Sequence, residues 1–367
     1  MGLKSITSNF FTDIKNFLSF GRVLGVDIGT ASVKMVELAR KGDVISLENY
    51  GVLQMREHLV RANAALQSSS LKLDEQEAIR LLKILLSEVR PKAGKVIASV
   101  PSFSSFAVPI EMPLLTREET EKSMVFQARQ YIPMPAGEMT IEWEKVGEFE
   151  NQQGQRMQRV LVSAIPNALI AKYQAIFRAA GLQLVSLESE GAALARALFS
   201  PNDRSTLLVD IGTESTAIVV VNGLTVQQIA QTDYGGISLT QALARGLGIS
   251  VTRAEELKWR RGLLGGGAEA ELSTSLLPFL DVIIQECERV RVLYERMFRA
   301  RVERLMLAGG GANLRGIGEY FSERLGLPLA EPRPFTHVTY PSELEPTMQF
   351  LNRELPVAAG LALRFYR

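Results

Sequence analysis

The chain has 367 residues but only one cysteine, two histidines and two tryptophans. A single cysteine cannot close an internal disulfide, which points to a reducing compartment. Cys287 sits in the helical-looking run ECERVRVLYERM, where a buried structural thiol is expected. His58, His337 and Cys287 are too scattered in sequence for a zinc set. Excess charge is lacking too. There are 41 basic and 40 acidic residues, a net charge of +1, so nucleic-acid binding by bulk charge is not expected. No stretch reaches the ~18 apolar residues of a membrane-spanning helix. The Gly-Lys-Ser/Thr phosphate loop is missing, as is a G-x-G-x-x-G after the first strand. No local Ser/His/Asp or Cys/His pattern suggests nucleophilic catalysis.

What is present is ordinary globular material, 46% apolar and 22% charged, with length for about two domains. Residues 1–21 form an N-terminal amphipathic segment. Leu3, Ile6, Phe10, Ile14, Phe17 and Leu18 recur at helical spacing beside Lys4 and Lys15. The segment lacks the continuous apolar core of a cleavable signal peptide. Two readings stand: a helix docked on the protein itself, or one lying on a membrane surface or a partner. Residues 22–101 read as a strand, tight turn, strand, turn and strand, then an amphipathic helix over 74–90 and the strand KVIASVP.

Residues 102–185 read as an inserted unit. Its first strand leads to a helix starting near Thr116, with Glu119 completing a capping box, and Pro133 and Pro135 stopping it. Two β-rich runs flank the turn NQQGQ as a hairpin, and a helix from Asn167 to Ala180 ends at Gly181. A second half covers 186–355. In it, Asn222-Gly223 predicts a type I′ hairpin, and helices are expected near 236–247, 252–262 and 273–301. The strand RLMLA then enters a glycine turn, and another helix starts after Asn313. A last helix covers about 356–366, within a C-terminal segment 356–367.

The decisive pattern is a repeat. LGVDIGTASVKMVEL and LLVDIGTESTAIVVV share an apolar–Val-Asp-Ile-Gly-Thr frame, each followed by a strand running back along the first. A glycine turn lets a phosphate approach the backbone, whose N–H groups become donors. The Thr hydroxyl adds another. Asp27 and Asp210, at the strand ends, could hold Mg²⁺ through water, since Mg²⁺ keeps much of its hydration shell. Two such hairpins facing each other would clamp a triphosphate from both sides. The third element, LMLAGGGANLRGIGEYF, feeds a strand through Gly309, Gly310 and Gly311 into a helix N-terminus.

Together these elements resemble the nucleotide site of the actin, sugar kinase and heat-shock chaperone ATPase superfamily. The resemblance implies an α/β, actin-like (ribonuclease H-like) duplicated ATPase fold that binds ATP and Mg²⁺. Asp27, Gly29, Thr30, Ala31, Ser32 and Lys34 would form the first phosphate loop. Asp210, Gly212, Thr213 and Glu214 would form the second, with Gly235 and Gly236 beside it. Gly309 to Gly311 would be the adenosine motif, and Glu255 and Lys258 would contact the nucleoside. ESEGAALARAL (188–198) and LPVAAGLALR (355–364) resemble the two connecting helices, with Glu190 or Glu188 near the catalytic water.

Within the superfamily, the inserted unit, with Tyr131-Ile132-Pro133, and VKMVEL in the first loop are similar to the PilM family of type IV pilus assembly proteins, with the insertion placed as in FtsA. That resemblance implies a cytoplasmic scaffold, peripheral on the inner face of the inner membrane. It would capture the N-terminal peptide of the membrane protein PilN in a groove between the first half and the insertion, and would link other inner-membrane and motor proteins of the pilus. Homo-oligomers and an FtsA- or actin-like filament ATPase remain an alternative, and a small-molecule kinase a more distant one. Glu214 lies where active relatives carry further glycines, and a carboxylate beside phosphates repels them. This shifts the expectation from fast turnover to nucleotide binding.

Overall fold

The computed structural model describes residues 21–29, 32–54, 75–101, 106–132, 136–263 and 270–366. The amphipathic segment 1–21 lies outside them except for Gly21, as do Thr30, Ala31, His58, Pro133 and Pro135.

The chain begins with β1 (Arg22–Ile28), β2 (Ser32–Lys41) and β3 (Val44–Gln54), followed by α1 (Glu75–Val89) and β4 (Lys95–Val100). β5 (Phe106–Pro113), α2 (Arg117–Ala128), β6 (Met139–Glu150) and β7 (Arg156–Pro166) come next. α3 (Asn167–Ala179), β8 (Gln183–Ser189) and α4 (Glu190–Leu198) close the first half. The second half holds β9 (Thr206–Ile211), β10 (Thr216–Asn222), β11 (Thr225–Thr232), α5 (Gly236–Leu247), α6 (Val251–Arg261) and α7 (Ala270–Phe298). It ends with β12 (Arg304–Ala308), α8 (Ile317–Leu325), β13 (Leu329–Ala330), α9 (Glu345–Glu354) and α10 (Pro356–Leu363).

The repeat is a repeat of topology. One five-stranded sheet has the order β3-β2-β1-β4-β8 and the other β11-β10-β9-β12-β13. In each, the central strand pairs antiparallel with the next strand and parallel with the fourth. The hydrophobic strands β1, β9 and β10 are buried on both faces, so helices must cover each side. α1 and α3 cover the outer face of the first sheet, and α5, α7 and α8 that of the second. α4 and α10 share the core between the sheets. They meet at bare backbone: a Cβ on Gly360 would lie 1.9 Å from the Ala193 carbonyl oxygen, and one on Gly25 1.9 Å from that of Ala358. All eight residues of α10 are buried, and six of them are Gly, Ala, Pro or Val, which suits so close an approach.

The segment expected as the inserted unit, 102–185, divides. β5, β7 and β6 form a separate three-stranded sheet, whose core with α2 includes Ile110, Met124, Val160 and Val162. α3 and β8 belong instead to the first half. The apolar face of α3, Leu169, Tyr173, Ile176 and Phe177, buries in the first-half core, and β8 extends that sheet parallel to β4. α2 has the expected capping box from Thr116 and Glu119. The β10–β11 turn differs from the type I′ expectation. Its two loop residues are Gly223 and Leu224; Gly223 has φ +58, while Leu224 is not among the residues with positive φ. That is the pattern of a II′ turn. α9 corresponds to no expected helix, although Pro346 in its first turn and the spacing of Met348, Leu351 and Leu355 are helical signals. Cys287 is buried in α7 as expected.

Candidate functional site

The two Asp-Ile-Gly turns are built alike. In the first, Asp27 stands opposite Lys34 in the β1–β2 register, and Gly29 N–H donates to the Ser32 carbonyl at 2.9 Å. In the second, Asp210 stands opposite Ala217, and Gly212 N–H donates to the Ser215 carbonyl at 3.0 Å. Both turns open into one cleft, which Asp27, Gly29, Ser32 and Lys34 line from one half and Asp210, Gly212, Thr213, Glu214 and Ser215 from the other. Gly236 lines it too. Gly235 lies behind it, where a Cβ would meet the Thr213 carbonyl oxygen at 2.6 Å.

The glycines after β12 are required by the protein's own packing. Gly309 has φ +82, and a Cβ there would sit 2.4 Å from Asp210 Oδ1. A Cβ on Gly311 would sit 2.3 Å from the Ile211 side chain. The glycine turn therefore presses directly on the second Asp turn. Gly310 also lines the cleft.

α5 and α6 bring the nucleoside-side candidates together. Lys258 Nζ lies 2.7 Å from the Glu255 carboxylate and donates to Thr240 Oγ1 at 2.8 Å and to the Gly236 carbonyl at 3.0 Å. The Trp259 indole N–H donates to Glu255 Oε1 at 2.6 Å, and the Thr240 hydroxyl bonds the other oxygen. Burial acts to raise Glu255, but the Lys258 charge and these hydrogen bonds outweigh it and hold the carboxyl below its ordinary value. Burial lowers Lys258 in spite of Glu255.

The electrostatics between the two Asp turns centre on Lys34. Burial raises Asp210 from its ordinary 3.8 to about 6, against the pull of Lys34. Burial also raises Asp27, opposed by Lys34 and by the Ser99 hydroxyl, which donates to Asp27 Oδ1 at 2.6 Å. Lys34 itself stays above its ordinary value, because Glu354, Asp27 and Asp210 outweigh its burial. Among the described residues, six carboxylates (Asp27, Glu190, Asp210, Glu214, Glu255 and Glu354) line the cleft against two ammonium groups, Lys34 and Lys258.

The two catalytic candidates separate. Glu190, the first residue of α4, lines the cleft. Glu188 does not. It ends β8 with Ser189, and its carboxylate is held by Arg196 at 2.5 and 2.6 Å and by Arg364 at 3.0 Å. Glu354, Trp259, Gln54 and Pro101 also line the cleft but carry no assignment from sequence. Among the described residues no group of three or more His, Cys, Asp or Glu side chains is placed to hold a metal ion by protein ligands alone.

A second cavity, of about 490 Å³, lies under the inserted sheet. Its roof is the sheet face carrying Ala107, Glu142, Glu144, Leu161 and Ser163; its floor is Val226, Ile229, Ala230 and Gln231 of β11, with Glu188, Ser189 and Ala192 at one side. The roof is tied to the second half. Gln227 Nε2 donates to the Val146 carbonyl at 3.1 Å, and the Arg159 guanidinium lies between the Phe149 and Phe298 rings, 3.9 and 5.0 Å from their centroids. Burial raises both Glu142 and Glu144. Among the described residues, the Gln231 Oε1 atom is buried without a hydrogen-bond partner.

Residues 25–366 match the family described as type IV pilus assembly protein PilM. The chain belongs to the PilM family. Among solved structures, one described as the PilM-PilN type IV pilus biogenesis complex is similar at a TM-score of 0.77 and 25% identity, covering 94% of this chain and 98% of that one. The ethanolamine utilization protein EutJ of Carboxydothermus hydrogenoformans follows at 0.53 and 19%, covering 93% and 90%. MreB 5 of Spiroplasma citri bound to AMPPNP follows at 0.51 and 14%, covering 94% and 95%. These likenesses show the duplicated actin-like fold. No helix among the described residues is long and apolar enough to cross a membrane.

Proposed function

We propose that this PilM-family protein is a cytoplasmic scaffold of type IV pilus assembly that binds ATP with Mg²⁺ in the cleft. In the second cavity, whose floor is β11 of the second half where the expectation was the first half, it would take the N-terminal peptide of the membrane protein PilN. The cleft suits a nucleotide: paired glycine turns offer N–H donors, Lys34 a cation, and the Glu255–Lys258–Trp259 group a rim for the nucleoside. Six carboxylates against two lysines repel a bare triphosphate, which makes a divalent cation necessary. Asp27 and Asp210 would hold that ion through its waters, and bound Mg²⁺ would neutralise phosphate charge. Of the two, Glu190 is the carboxylate that lines the cleft, where a hydrolytic water would sit, whereas Glu188 lies outside it and is held by two arginines. A scaffold needs binding and not turnover.

One observation carries the reading. The consecutive residues Glu188, Ser189 and Glu190 line both cavities, the first two the partner cavity and the third the nucleotide cleft. Ser189 caps α4 by accepting from Ala192 N–H, and Arg196, which binds Glu188, also donates to the Gly360 carbonyl of α10. A nucleotide that shifts the two halves must therefore move the wall of the partner cavity. The apolar Leu161, Val226 and Ile229 and the Gln231 acceptor suit a short extended peptide that donates backbone N–H groups. Capture of a membrane protein's tail would hold the scaffold at the inner face of the inner membrane, where it can meet motor proteins. Calorimetric titration of the PilN N-terminal peptide with and without ATP–Mg²⁺ tests this. A change of about fivefold or more is expected. Equal affinities would remove the gating, and no peptide binding would remove the scaffold reading.

A further inference from the structure

Glu354 closes α9 immediately before the connecting helix α10 and is 4% exposed. Its Oε2 lies 2.8 Å from Lys34 Nζ, so one buried ion pair joins β2 of the first half to the second half. The other oxygen accepts from Asn313 Nδ2 at 3.3 Å and lies 3.1 Å from where a Cβ on Gly310 would sit. A single carboxylate thus touches Lys34, the cation between the two Asp turns among the described residues, the glycine turn and the start of a connecting helix.

Resting on the nucleotide reading above, we propose that Glu354 is a built-in competitor for Lys34 that sets the affinity of the cleft for phosphate-bearing nucleotides. An ammonium already held by a buried carboxylate can serve a phosphate only as that carboxylate gives it up. Glu354 also adds its own repulsion to that of Asp27 and Asp210 on the same small volume. Binding therefore requires Lys34 to turn from Glu354 to the phosphates. Glu354, relieved of its partner, passes the change to Asn313 and to α10. Adenosine, which bears no phosphate, does not compete for Lys34.

The test compares the wild type with Glu354→Gln, which keeps the shape and removes the charge, in titrations with ATP–Mg²⁺ and with adenosine. ATP–Mg²⁺ should bind the variant at least tenfold more tightly, adenosine should bind both equally, and the nucleotide-free variant should melt at a lower temperature. Glu354→Asp, which draws the carboxylate back from Lys34, should move ATP affinity in the same direction and serves if Glu354→Gln does not fold. Unchanged or weaker ATP binding in a cooperatively folded variant, or an equal gain for adenosine, overturns the competitor role. A wild type that binds no adenine nucleotide overturns the nucleotide reading on which it rests.

Discussion

Replacing Asp210 by Asn should stabilise the unliganded protein while weakening its hold on nucleotide. The carboxyl sits at the end of β9 beneath the glycine turn, where burial lifts it from 3.8 to about 6. At about 1.4 kcal/mol for each tenfold change, ionising it in the folded state costs roughly 3 kcal/mol. Asp210 keeps some contact with solvent in the cleft, so this is a ceiling. The sign follows from an acid raised on folding. Its cost is fully present above about pH 6, shrinks as the pH falls, and vanishes below the unfolded value of 3.8. Asp210→Asn should therefore exceed the wild type in denaturant stability by up to about 3 kcal/mol at pH 8, with the gap closing towards pH 4. The same substitution removes one of the two carboxylates that would hold Mg²⁺ through water, so ATP affinity should depend less steeply on Mg²⁺, with Asp27 left to hold it. Urea unfolding at pH 8, 6 and 4, with ATP titrations at two Mg²⁺ concentrations, measures both. A variant no more stable than the wild type at pH 8, or a difference that does not change with pH, would refute the electrostatic argument.

Gly360→Ala places a methyl 1.9 Å from the Ala193 carbonyl, which packed backbone cannot relieve; thermal melting should show a loss of about 3 kcal/mol or more, or no folded protein. The two tryptophans divide between the sites, Trp143 lining the partner cavity and Trp259 the nucleotide cleft. Trp143→Phe should keep the direct fluorescence response to ATP, and Trp259→Phe should keep the direct response to peptide. Lys258→Met leaves Glu255 without its cation in a half-buried network, so nucleoside affinity, read by calorimetry, should fall about tenfold or more.

Where the sequence was most legible, short-range geometry did the work. A strand, a glycine turn and a returning strand are local, so the repeat gave both turns and their aspartates. The glycine turn and the i,i+3 pair of Glu255 and Lys258 were readable for the same reason. Glu188 and Glu190 were not separable. Two residues apart, they share a face on a strand but diverge where the chain changes to helix between them. The end of the insertion was misplaced because α3 follows β7 without a break, and only its packing on the first sheet assigns it. Glu354 had no local signature. Its role comes from Lys34, 320 residues earlier in the chain, and the helix that carries it was itself missed.

The duplication is not perfect, and the imperfection has a use. Opposite the first aspartate stands Lys34, and opposite the second stands Ala217. The glycine turn and the Glu255–Lys258 pair likewise come from one half alone. A site with strict twofold symmetry would accept a triphosphate in either direction. Here Lys34 pairs with Glu354 beside the two Asp turns and Lys258 pairs with Glu255 on α6, so the two sides of the cleft are unlike. The fold supplies two equivalent jaws, and the unmatched residues would decide which way round a bound nucleotide is held.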